Sequence, residues 1–411
     1  MTGKYFPRLV ALCGTVLFFV AAVQAQSGAT RPRRVNPLPP RSEEAVSEDK
    51  GTPIGSNAGR PAASRTPTTN SGARRTDTSH AYALLQQKQY AAAAAEAKQL
   101  AAANPNEPEA WKIAGFAEYN LKQYAEAAAD LQRALDLQRT AGQEDANTLD
   151  ALVRAYVLTE KFEQALPLLV TATTRKGTPP VDASMLYYRG IAEYRTGKSA
   201  DAERSFNLAV KANPKDAASL YYLGQIAYAR NDLDAAIAAL NRATVTDARL
   251  ATAWALLASA YLRRAAAATV PAKADADYLS AVRAGEALNG LRTDAESATL
   301  LGQALIGAKQ YARAAQVLER ATTADDASGV MLYLLGVAHS RARNFPKAIL
   351  ALERAATKTP EDANIYRELG YAYEISKQYA KALAAYQKGL SLLPDDADFK
   401  EAAERVRPFA K

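Results

Sequence analysis

From about residue 79 onward, the apolar positions of this 411-residue chain fall three and four residues apart, the spacing of one helix face. Trp111, Ala114, Gly115 and Tyr119 share one side of a first helix. Lys122 and Gln123 make a turn. Tyr124, Ala127, Leu131 and Ala134 then share one side of a second helix. The arrangement returns down the chain. Gly115, Gly190, Gly224, Gly302, Gly336 and Gly370 fall in one column, with Ala81, Val153 and Ala258 where glycine is missing. Successive column positions stand 34, 38, 37, 34, 34, 44, 34 and 34 residues apart. Twelve residues after most of them comes an alanine: Ala93, Ala127, Ala165, Ala202, Ala236, Ala314, Ala348 and Ala382. A fixed period of this length predicts a solenoid of two-helix units, none able to bury its apolar face alone. The small residues at 115 and 127 let the paired backbones approach, and a bulky side chain at either would cost about 1–3 kcal/mol.

These positions resemble the tetratricopeptide repeat, whose pattern is Trp-x2-Leu-Gly-x2-Tyr, then Ala-x3-Phe, then Pro. Leu223-Gly224, Ala236 and Leu240 carry the match in one unit. Leu335-Gly336, Ala348, Leu352 and Pro360 carry it in another, as do Leu369-Gly370, Tyr373, Ala382, Tyr386 and Pro394, and Gly190, Ala202, Phe206 and Pro214. Nine units fit between about residues 74 and 396. The resemblance implies an all-α, right-handed superhelical solenoid of antiparallel helix pairs. It also implies that the first helix of each unit lines a concave groove that binds a protein or peptide partner. The exposed row on those helices is expected to hold Lys112, Phe116 and Tyr119, then Tyr187 and Tyr194, Tyr221 and Tyr228, Tyr333, and Arg367 and Tyr371. Tyrosine suits such contacts, since its ring offers area at low entropic cost and its hydroxyl can bond a backbone. The alternative for the same residues is packing. Some relatives grip a partner's terminal carboxylate with lysine and asparagine. The corresponding positions here are Phe116, Arg154, Ile191 and Gln225, without an asparagine, so that docking function is not carried over.

Departures from the pattern mark three places. The third unit has Val153 in the glycine column and extra residues around Pro179-Pro180. The sixth runs from Trp254, Leu257 and Tyr261 through Arg263 to Asp277 before a second helix near Ala281, an insertion of about ten residues that lengthens helices or forms a loop. It is a partner contact or a tolerated surface insertion. After Pro394, Ala397 to Val406 predicts a closing helix whose Glu401, Glu404 and Arg405 give the polar outer face that a solenoid end requires.

The net charge of +8 sits mainly outside the repeats. Residues 1–25 contribute +2 and residues 26–78 contribute +4, leaving +2 for residues 79–411. The repeats are therefore near neutral, and nucleic acid is not expected as a partner. Lys4 and Arg8 precede an apolar run from Leu9 to Val23, and Val23-Gln24-Ala25 supplies small residues for cleavage. Residues 1–25 thus read as a secretory signal peptide, with Gln26 as the mature terminus and a periplasmic or secreted destination. An uncleaved membrane anchor is the alternative, although the run is shorter than the roughly 20 residues of a spanning helix. Cys13, the sole cysteine, lies inside that run, so the mature chain lacks disulfides, thiol chemistry and cysteine-bound metal. Residues 26–78 are rich in Pro, Ser, Thr, Gly and Arg and read as a disordered linker. It is a solvated spacer, or a tether whose Arg31, Arg33, Arg34, Arg74 and Arg75 make weak contact with anionic envelope components.

The search for catalytic chemistry finds no constellation. His80 and His339 lack helical histidine partners, and His339 reads as a packed side chain. Asp275 and Asp277, like Asp395, Asp396 and Asp398, lack the glycine and terminal glutamate of a calcium loop and are read as helix-end caps. No phosphate-binding glycine loop or nucleophile elbow occurs. The reading is a non-enzymatic interaction scaffold needing no cofactor or metal. Its rivals are an envelope assembly factor held by the basic tail and an accessory subunit of an enzyme complex.

Overall fold

The structure is a computed structural model that describes residues 76–174, 182–322 and 327–410. The expected signal peptide, nearly all of the linker, and Pro179-Pro180 lie outside the described residues. The described residues form nineteen α-helices and a final 3-10 turn, with no strand among them. The chain divides between Pro214 and Lys215 into two units.

The N-terminal unit holds four helix pairs: α1 (Ser79–Gln86) with α2 (Tyr90–Ala103), α3 (Pro108–Asn120) with α4 (Tyr124–Thr140), α5 (Ala146–Leu158) with α6 (Phe162–Thr174), and α7 (Ala183–Arg195) with α8 (Ser199–Ala212). The C-terminal unit holds five: α9 (Ala217–Ala229) with α10 (Leu233–Thr246), α11 (Ala251–Ala267) with α12 (Pro271–Leu291), α13 (Ala295–Gly307) with α14 (Tyr311–Ala321), α15 (Gly329–Arg341) with α16 (Phe345–Lys358), and α17 (Ala363–Ile375) with α18 (Tyr379–Leu392). The single helix α19 (Ala397–Val406) and the 3-10 turn Arg407–Phe409 follow.

Local sequence sets the helix ends. Six first helices and α19 begin behind an acidic N-cap whose carboxylate accepts a backbone N–H: Glu107, Asp145, Asp182, Asp216, Asp294, Asp362 and Asp396. The turn inside most pairs needs one residue in the left-handed region, as at Lys122 (φ 63°) and Gly197 (φ 79°). Glycine meets that demand without the clash a Cβ brings, and lysine meets it under mild strain.

The column glycines mark where the two helices of a pair come closest. A Cβ on Gly190 would stand 2.6 Å from a ring carbon of Phe206, and one on Gly224 would stand 2.6 Å from Cγ of Leu240. The space filler is thus the residue sixteen positions on, while the alanine twelve positions on is itself fully buried, as at Ala202 and Ala236. Each unit is accordingly an alanine-rich core of interlocked small and large side chains.

The sixth pair resolves its insertion as longer helices. The residues α11 and α12 number 17 and 21, against 13 and 14 in α9 and α10, and only 268–270 join them. The second helix therefore starts at Pro271, not near Ala281. Asp277 is not a helix-end cap: it lies within α12, where Arg264 holds it with Nε to Oδ2 at 2.9 Å and Nη2 to Oδ1 at 2.6 Å. Arg264 also reaches Asp234 on α10, and Asp275 meets Lys309 at 3.4 Å. Asp396 does cap, accepting the Phe399 N–H at 3.0 Å.

Candidate interaction surface

Within each unit, every first helix packs on its own second helix and also touches the first helix of the next pair. Second helices make no comparable contact with one another. The first helices therefore form the inner wall of each unit, where the residues three, four and seven apart share a face.

In the N-terminal unit, Phe116 and Tyr119 are half-buried and rest on a core formed by α4, α5, α6 and α7. Tyr119 meets Tyr124 edge-on, with ring centroids 5.4 Å apart. Burial pushes its hydroxyl above the usual phenol range, with Tyr188 adding to the rise and Arg154 opposing it. Tyr188 and Arg154 thus stand beside Tyr119, an association the row of expected contacts did not contain. Lys112 is 2.9 Å from Asp145 and 3.3 Å from Glu109. Burial pulls its ammonium down, but the bonds and charges of Asp145 and Glu109 together outweigh that and hold it above the ordinary lysine value. Arg154 reaches Asp182 at 3.4 Å. Tyr187 and Tyr194 are half-buried, and the Tyr187 ring lies 6.1 Å from Phe206 and 5.6 Å from Tyr188.

In the C-terminal unit, Tyr221 and Tyr228 are half-buried. Tyr221 is edge-on to Tyr222 at 5.3 Å, and the Arg263 guanidinium lies over Tyr228 at 5.2 Å. Tyr371 is the most open of the row at 41% exposed, flanked by Phe345 at 6.3 Å and by Arg341 at 5.9 Å.

Two expected contacts are corrected. Tyr333 is buried, because α15 is apolar on nearly every side and each residue from Met331 to Ser340 is enclosed. Its ring is core. Arg367 is only partly exposed and is occupied: its Nη2 lies 2.6 Å from Asp396 Oδ2, its Nη1 3.4 Å from Asp398, and its guanidinium stacks 4.3 Å above Phe399. It anchors α19.

The residues that flank the row were legible as a second periodicity. An aromatic opens most second helices, at Tyr90, Tyr124, Phe162, Tyr311, Phe345 and Tyr379. Phe345 and Tyr124 each abut a row tyrosine.

Both histidines pair with glutamates. His339 is buried and bonds Glu319 at 3.1 Å. Burial holds its imidazole below the ordinary histidine value although Glu319 opposes the fall. His80 bonds Glu96 at 2.7 Å. Among the described residues, no three metal-ligating side chains come together, and no helix is long and apolar enough to cross a membrane.

The model of the tetratricopeptide repeat family matches residues 78–144, 151–212, 190–251 and 333–397, more than half of the chain. The chain belongs to that family. It is a protein-interaction scaffold of helix-pair repeats, as the resemblance in sequence implied. Similar solved structures include YrrB, described as a TPR protein with an unusual peptide-binding site, at 20% identity over 49% of this chain and 97% of that one, with a TM-score of 0.39. A MamA structure from Desulfovibrio magneticus RS-1 is 23% identical over 44% of this chain and 98% of that one, with a TM-score of 0.38. A tetratricopeptide repeat protein from Parabacteroides merdae is 13% identical over 64% of this chain and 98% of that one, with a TM-score of 0.40. No curated protein matches the chain.

Proposed function

We propose that this protein is an exported, non-enzymatic scaffold that binds an extended segment of a protein partner on the inner faces of its first helices. The observation that carries the reading is chemical. On those faces most cations are already spent on internal carboxylates, Lys112 on Asp145, Arg341 on Glu368 and Arg367 on Asp396, while Arg263 lies over the Tyr228 ring. Partly exposed aromatic rings remain: Phe116, Tyr119, Tyr187, Tyr194, Tyr221, Tyr228 and Tyr371. Such rings bind backbone and apolar side chains rather than a fixed charge. Export rests on the leader of residues 1–25, and the basic linker adds weak contact with anionic envelope components.

The test is a cross-linked pull-down from the native envelope with the mature chain as bait. It runs beside one variant with Tyr187→Ala and Tyr194→Ala and another with Tyr221→Ala and Tyr228→Ala. Both variants must first keep wild-type helicity and melting. A partner lost from a folded variant supports the inner-face reading, and unchanged partners with both variants refute it. Export is checked by fractionating cells and sequencing the mature terminus, which is expected at Gln26.

A further inference from the structure

The second helix pair buries two acidic side chains against one lysine. Glu118 on α3 is 2% exposed and Asp130 on α4 is 9% exposed. Lys98 on α2 pairs with Glu118 Oε1 and stands 3.8 Å from Asp130 Oδ2, too far for a hydrogen bond. Glu118 Oε2 and Asp130 Oδ2 are left enclosed without a hydrogen-bond partner. Orphaned carboxylate oxygens are costly enough inside a fold that they call for an explanation.

The fourth repeat supplies one. Glu193 and Ser205 occupy the same register, since 193 − 118 and 205 − 130 are both 75. There Ser205 Oγ donates to Glu193 Oε2 at 2.6 Å. A serine brings a hydrogen to this position. An ionised aspartate brings none, and only a protonated one does the same work.

We propose that Asp130 is kept as a neutral carboxylic acid that donates to Glu118, and that losing this proton loosens the α3–α4 pair. The charged groups acting on the site are Lys98 from α2, Glu118 from α3 and, through Lys98, Glu126 from α4. The neighbouring α5 turns its Tyr156 hydroxyl to Gln132 instead, at 3.1 Å. With the proton in place, one carboxylate faces one ammonium. Without it, two buried carboxylates share that ammonium. Burial, and then the Glu118 charge, push the Asp130 carboxyl up to about 7, against the pull of Lys98. A raised acid contributes stability that is complete below its unfolded value, near 4, and is lost as pH rises to about 7. The latch is independent of what the inner faces bind.

The experiment compares the full chain with Asp130→Ser, which installs the hydroxyl of the fourth repeat, in denaturant unfolding from about pH 4 to about pH 8. The wild-type unfolding constant, taken relative to the variant, should rise by up to about tenfold per pH unit between about 4 and 7. A pH-independent ratio overturns the proposal. Should Asp130→Ser fail to fold, the Asp130 carboxyl carbon is titrated by NMR in the unmodified chain. A midpoint near neutrality supports the latch, and an ordinary aspartate midpoint near 4 overturns it.

Discussion

Arg405 grips Glu374 from the closing helix, with Nε 2.8 Å from Oε1 and Nη2 3.0 Å from Oε2. Glu374 lies on the first helix of the last pair, and Tyr386 from its second helix donates to the same carboxylate at 2.8 Å. One carboxylate thus ties three helices together. Glu401 and Glu404 do face solvent, as a solenoid end requires, but Arg405 turns back and bonds.

This knot predicts loss of the cap in acid. Burial raises the Glu374 carboxyl, but its bonds to Arg405 and Tyr386 outweigh that and hold it below the ordinary glutamate value. A lowered acid contributes stability that is present above its unfolded value, about 4.5, and is lost as pH falls through the folded value. The protection of the α19 amides, taken relative to intrinsic exchange, should fall below about pH 4.5 before the rest of the C-terminal unit opens. Arg405→Ala should cost about 1 kcal/mol, because the Arg405 side chain is 42% exposed and its charge is screened. Glu374→Ala should cost about 2 kcal/mol, because the Tyr386 hydroxyl then loses its acceptor inside the fold.

The column glycines predict a coupled pair of effects. Gly190→Ala places a methyl group against the Phe206 ring and should destabilise the N-terminal unit by about 1–3 kcal/mol. Phe206→Ala empties a fully buried position and should cost about 3–5 kcal/mol. Joined with Phe206→Leu, Gly190→Ala should cost less than it does alone, since the smaller side chain leaves room. Denaturant unfolding of the two singles and the double reads the coupling, and simple additivity would refute the contact.

Periodicity made the helix pairs legible because each repeat states the same small-against-large packing problem, and repetition averages out local noise. Gly115 and Ala127 announced a close approach, although the residue that fills the space, Leu131, emerged only from the structure. The inner row was legible as positions but not as accessibility. Tyr333 sits in the same register as Tyr221 yet is enclosed, because α15 is apolar on nearly every side and buried from Met331 to Ser340. Arg367 was misread for a different reason. Its partners Asp396 and Asp398 lie 29 and 31 residues on, and no local pattern links them. Asp277 likewise looked like a cap until Arg264, 13 residues earlier, proved to hold it inside a helix.

The lengthened sixth pair depends on that last contact. Asp277 is largely buried, and Arg264 satisfies both its oxygens. Arg264→Ala leaves a carboxylate enclosed without its counter-charge, a change worth about 3–5 kcal/mol at a fully buried site. A third of the arginine is exposed, so the expected loss is about 2 kcal/mol. Arg264→Lys should recover only part of it, because an ammonium cannot offer the planar two-bond fork. Thermal unfolding of the two variants distinguishes this from a tolerated insertion, for which both would melt like the wild type.

The salt dependence of partner binding follows from how the inner-face charges are spent. Lys112 sits between Asp145 and Glu109, Arg341 is bidentate to Glu368, and Arg367 is shared by Asp396 and Asp398. A partner carboxylate would have to displace an internal one at each place, and the exchange gains little. Aromatic contacts with an extended segment carry no such dependence, since apolar burial is not screened by ions. Once a partner is captured, its dissociation constant should change less than about threefold between 50 mM and 500 mM salt. A charge-clamp mode would weaken by orders of magnitude over that range and leave Tyr187→Ala and Tyr221→Ala nearly silent. Weak salt dependence together with losses of about tenfold for each tyrosine, worth about 1.4 kcal/mol apiece, is the outcome that the half-buried rings predict.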